Sequence, residues 1–63
     1  MASAAVVART RQDGLEYLVR ASGTAEWAVN AEVAAKFETL RDATRAAMRL
    51  PSTLRAFALP ASH

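Results

Sequence analysis

The 63-residue chain has no cysteine, one histidine, two glycines, two prolines and no apolar run long enough to cross a bilayer. Each absence removes a class of function. Without cysteine there are no disulfides and no thiolate metal sites. The one histidine, His63, is the last residue, so no His–Glu spacing for a metal exists. Gly14 and Gly23 stand alone, which excludes a glycine-rich phosphate loop. Ser3, Ser22, Ser52 and Ser62 have no base near them in sequence, and the carboxylates Asp13, Glu16, Glu26, Glu32, Glu38 and Asp42 are scattered. A chain with so few catalytic groups is expected to be neither an enzyme nor a holder of a cofactor or metal. The N-terminal Met-Ala-Ser-Ala-Ala-Val-Val-Ala lacks a basic leader and soon meets Arg9, a poor signal peptide. A soluble, cytoplasmic protein is expected, with no membrane role.

What is present is a single small domain, residues 1–63, with its ordered part about 4–60. A chain of this size buries only about 60% of its unfolded surface, so its core is small. The apolar share is 52%, but much of it is alanine. Without staples, such a domain needs a very regular core or a partner chain, which makes a homodimer plausible. Seven of the eight basic residues are arginine, against six acidic ones, for a net charge of +2. That weak field permits nucleic-acid contact without requiring it.

The pattern from Ala5 to Ala21 predicts a β-hairpin turning at Asp13-Gly14, with Gly23 ending the second strand. Residues 25–29 form a short third strand or an ordered loop carrying Trp27. Asn30 is an N-cap candidate. Two readings of residues 31–50 remain open. One is a continuous helix. The other is a short turn, an extended Phe37 and a helix capped by Thr39, with Asp42 at the third helical position. Both end at Pro51. A last strand is expected over about Thr53–Leu59, and the terminal Ala-Ser-His is expected to fray. The fold class is therefore α+β: a small antiparallel sheet of three or four strands, β-β-(β)-α-β, covered on one face by one main helix.

Alternation sorts the strands into two faces. Val6, Ala8, Thr10, Leu15, Tyr17, Val19, Leu54, Ala56 and Ala58 make a nearly charge-free set, assigned to the helix side. Val7, Arg9, Arg11, Glu16, Leu18, Arg20, Arg55, Phe57 and Leu59 make the other, assigned to the open side. A one-residue register error would exchange a strand's set, above all in the last strand. On this assignment Arg9, Arg11, Leu18, Arg20, Arg55 and Phe57 are the first candidate partner-binding surface, an apolar centre with a basic rim. Arg41, Arg45 and Arg49, at every fourth position, are the second. Glu38 and Asp42 stand three residues before Arg41 and Arg45 and can partly neutralise them. Leu40, Ala43 and Ala47 are the inward side of this helix. Trp27, Tyr17 and Phe37 are read as core.

A hairpin followed by an aromatic, a segment with Ala, Phe, Thr, Ala and Ala at spaced positions and a closing strand resembles a class of very small phage and prophage proteins. The residues that carry the resemblance are Trp27, Ala34 or Ala35, Phe37, Thr39, Ala43 and Ala47, and it spans about Val6 to Leu59. The layout is also similar to the inhibitor of host RNA polymerase of T7-type phages, through Glu38-Thr39-Leu40, Ala43 and Ala47, and to small anti-CRISPR proteins. The resemblance favours the helix that starts after Thr39. It implies a non-catalytic accessory or inhibitor protein of a phage or mobile element, acting by binding a larger host protein. The alternatives are a small nucleic-acid-binding protein using surface arginines and a homodimeric structural module.

Overall fold

The computed structural model describes residues 4–20 and 25–61. Four strands, β1 (Ala5–Arg11), β2 (Gly14–Arg20), β3 (Glu26–Ala28) and β4 (Phe57–Pro60), form one antiparallel sheet in the order β3-β2-β1-β4. The helix α1 (Leu40–Arg49) packs over β1 and β4. This is the expected α+β architecture, with the third strand formed. The expectations for Gly23 and for the terminal Ser62 and His63 lie outside the described residues.

The hairpin turn is centred one residue earlier than expected. Arg11 pairs with Gly14, so Gln12 and Asp13 are its two central residues. Gly14 opens β2 at φ +135°, a conformation that glycine adopts without a Cβ penalty. The pairing of β1 with β2 runs from the turn as far as Ala8–Tyr17, and β2 bulges against β3 between Leu18 and Arg20. The segment before α1 bonds to both strands. Ala35 N–H donates to Leu18 O at 2.9 Å, and Phe37 exchanges two 2.8 Å backbone bonds with Ala5.

That segment decides between the two readings of residues 31–50. Asn30 Oδ1 accepts the Glu32 N–H at 2.8 Å and caps a single 3₁₀ turn, Ala31–Val33. The chain then runs extended through Phe37, and Thr39 Oγ1 accepts the Asp42 N–H at 3.1 Å to start α1. A helix through Phe37 would forfeit the sheet bonds of Ala35 and Phe37, which tertiary pairing supplies and local propensity does not. Leu50 is extended before Pro51, and the helix stops there.

The last strand begins at Phe57 rather than Thr53. To run antiparallel beside β1 the chain must reverse after α1. It does so through a 3₁₀ turn, Ser52–Leu54, and a left-handed Arg55 at φ 54°, ψ 42°. Arg55 is the one described non-glycine residue with positive φ.

The two faces of the hairpin are the reverse of the expected assignment, whereas the last strand keeps its own, with Ala56 and Ala58 toward the helix and Phe57 and Leu59 on the open side. The sets for β1 and β2 stay together, since Ala8 pairs with Tyr17 and Thr10 with Leu15. The core under α1, however, is Ala5, Val7, Leu18, Ala43 and Ala47, edged by Trp27, Phe37, Leu50, Ala56 and Ala58. The arginine-bearing side of the hairpin therefore faces the helix. Ten helical residues span about 15 Å, whereas a seven-residue strand spans about 23 Å. The helix thus covers Val7 and Leu18 and leaves room beyond its end for Arg9 and Arg11. The charge-free set of Val6, Ala8, Thr10, Leu15 and Tyr17 faces away, joined by Phe57 and Leu59, which pair with Ala8 and Val6. Leu40 shares the angular position of Ala47 but occupies the first turn, and it is 49% exposed.

Val7 and Leu18 are the largest fully buried side chains among the described residues. Leu18→Ala is expected to cost about 2–4 kcal/mol and Leu40→Ala less than about 1 kcal/mol, both read by urea denaturation. Arg55→Gly removes a left-handed Cβ and is expected to raise stability by about 0.5–1 kcal/mol in the same assay.

Candidate functional site

The arginines fall into two groups that sequence proximity does not reveal. Arg9, Arg11 and Arg20 are engaged within the sheet. Cross-strand pairing sets Arg9 opposite Glu16, and its Nε and Nη2 donate to Glu16 Oε1 at 3.0 and 2.8 Å. Its guanidinium carbon lies 4.4 Å from the centre of the Trp27 ring. Arg11 Nε reaches the same carboxylate oxygen at 3.9 Å, and Arg20 Nη1 lies 3.8 Å from Glu26 Oε2. Arg9 is thus a half-buried cover for Trp27, held by a carboxylate and a π-face together.

Arg41, Arg45, Arg49 and Arg55 are different. They are exposed, and none has a carboxylate within ion-pair distance among the described residues. The neutralisation expected from Glu38 and Asp42 does not form. Asp42 instead sits in the first turn of α1, where a negative charge is favoured. The first three arginines lie opposite the buried Ala43 and Ala47, and Met48, 78% exposed, falls on their side of the helix. At the C-terminal end of α1, a shallow cleft of about 320 Å³ is lined by Ala47, Leu50, Pro51, Ala56, Met48 and Arg55 among others.

The first expected surface does not exist as one patch. Leu18 is fully buried under the helix, Arg9, Arg11 and Arg20 are tied within the sheet, and Arg55 sits in the turn before β4. Of that set Phe57 lies within the outer sheet face, and Arg20, opposite Glu26 past the bulge, at its β3 edge. There Phe57 joins Leu15, Tyr17 and Leu59, all half-buried, around the buried Val6 and Ala8. This face carries no charged side chain from β1 or β4; at its β3 edge, past the bulge, Glu26 stands on the side of Ala28 and Tyr17 and pairs with Arg20. The second expected surface, Arg41, Arg45 and Arg49, is exposed as a unit.

The two sheet edges offer little to a partner strand. β3 is three residues long, and β4 ends in Pro60, which has no N–H. Among the described residues no group of His, Cys, Asp and Glu could hold a metal ion. No described helix is long and apolar enough to cross a membrane. Compared with known proteins, the chain matches no family model, no curated protein and no solved structure.

A double-mutant cycle of Arg9→Ala and Glu16→Ala tests the engaged group. A coupling of about 0.5–1 kcal/mol is expected for this half-buried pair, and Arg9→Ala is expected to shift the Trp27 fluorescence as its ring loses cover.

Proposed function

We propose that this protein is a non-catalytic binding module that docks the outer face of α1 onto an acidic surface of a larger protein. The observation that carries the reading is the row of arginines without carboxylate partners at Arg41, Arg45 and Arg49, with Arg55 beyond the helix end. A helix that needed arginines only for solubility would more cheaply pair them with its own carboxylates. Arginine and methionine are enriched at protein interfaces, and Met48 beside a cleft with an apolar floor suits a protein surface better than a nucleic-acid backbone. In this reading the chain is an accessory or inhibitor protein of a phage or mobile element, acting by occupying a host complex rather than by chemistry. Its small size and the scarcity of catalytic groups support that role.

The same unpaired arginines favour a second reading, contact with the phosphates of DNA or RNA. The two separate by salt dependence and by partner. Affinity capture with wild type and with the triple variant Arg41→Glu, Arg45→Glu, Arg49→Glu should yield an acidic protein with the first and none with the second. Capture of the same proteins by both would end the proposal. Phosphate contact predicts instead that the intact protein binds DNA or RNA oligonucleotides, with a logarithmic salt slope of about −3 for three neutralised phosphates.

A further inference from the structure

We infer that the outer face of the sheet is covered by a second copy of this chain, packed face to face about a two-fold axis. The inference is independent of the role proposed for α1. It starts from the size of the core. Among the described residues the buried cluster under the helix is Ala5, Val7, Leu18, Ala43 and Ala47, and both of the helix's contributions to it are alanines. Domains of about this length can fold alone on a very regular core, but one with so little burial is strengthened most by disulfides, by a structural metal or by association. This chain has no cysteine, and its described residues contain no metal-binding cluster. Association remains. A partner that stabilises the fold itself must be present wherever the chain is, and only another copy meets that condition.

The chemistry of the face fits itself. Leu15, Tyr17, Phe57 and Leu59 surround Val6 and Ala8, with Thr10 at the hairpin end. An isologous contact sets every residue near its own symmetry mate, so any charge would meet a like charge. Arg9, Arg11 and Glu16 point to the other face, and the one charged pair on this face, Arg20 with Glu26, sits at its β3 edge, where it is matched within the copy and falls on the rim of the contact. Tyr17 and Phe57 supply aromatic area, and the tyrosine hydroxyl keeps a polar tip for the rim.

Geometry selects the face over the edges. Edge pairing is blunted by the three-residue β3 and by Pro60 on β4. Two strands of seven residues and two of three and four, about 4.8 Å apart, offer roughly 330 Å² in projection. Side-chain relief raises the accessible area toward the roughly 600 Å² per copy at which stable interfaces begin. The face is therefore consumed by one partner copy. Stacked sheets about 10 Å apart would leave the two helices, with Arg41, Arg45 and Arg49, on opposite outer sides.

Sedimentation equilibrium of the full chain tests this. At about 100 μM, above the micromolar range where weak interfaces of standard size dissociate, the mass should be twice the 6.7 kDa of one chain. Phe57→Lys and Tyr17→Lys should each give a folded monomer by circular dichroism, or unfold with the loss of the dimer. Arg45→Glu should leave the dimer mass unchanged. Isotope-filtered NOEs on mixed-label wild type guard against variants that do not fold: contacts between copies should involve Tyr17, Phe57 and Leu59. A wild-type monomer at that concentration, a dimer that survives Phe57→Lys, or intermolecular contacts from α1 instead would each overturn the inference. A monomer that still captures an acidic protein through its arginines would sink the dimer and leave the proposed function standing.

Discussion

The close seat of α1 on the sheet is the constraint from which the rest follows. Ala43 and Ala47 are the helix's buried residues, and they meet Val7 and Leu18 across a layer with little side-chain thickness. Small side chains let the helix approach closely, but each buries little apolar area. Only a short, well-oriented helix can use such a seat. Thr39 sets where it begins and Pro51 where it ends. The extended segment through Phe37 delivers it across the sheet from the β3 edge to the β4 edge, tied to Ala5 and Leu18 on the way.

Once the helix covers only part of one face, the surface divides. The uncovered end of that face is managed by charge: Arg9 spans Glu16 and Trp27, with Arg11 near the same carboxylate. The opposite face is managed by apolar packing within the sheet, where Val6 and Ala8 are buried by their own neighbours. The helix exterior is left with arginines that nothing in the described chain neutralises. Binding surfaces on such a molecule arise from what its small core leaves uncovered, and the proposed contacts on α1 and on the outer sheet face are both of that kind.

Much of the fold was legible because it rests on local chemistry. A hairpin, a capped helix stopped by proline and a closing strand follow from Gly14, Asn30, Thr39 and Pro51, whose effects act within a few residues. The candidate site was less legible. The helix stripe is a matter of period and survived intact as an exposed row. The sheet surface depended on which hairpin face meets the helix and on the register of β4. The last strand kept its expected sides, Ala58 toward the helix and Phe57 and Leu59 outward, but its register set Ala58 beside Val7, and Phe57 and Leu59 beside Ala8 and Val6, so it was the hairpin that turned over.

By itself the sequence determined the hairpin, the stop at Pro51, a closing strand, the pairing of Val6, Ala8 and Thr10 with Leu15 and Tyr17 on one face, and the absence of cysteine chemistry, while the third strand and the start of the helix needed the sheet bonds of Ala35 and Phe37. Each feature so determined depends on residue identity and short-range spacing. Tertiary structure alone decided the rest: which face the helix covers, that Glu16 is spent on Arg9 while Arg41, Arg45 and Arg49 stay unpaired, and that Leu18 is core. Those outcomes turn on where a 10-residue helix ends over a longer strand, a three-dimensional fit that no local pattern encodes.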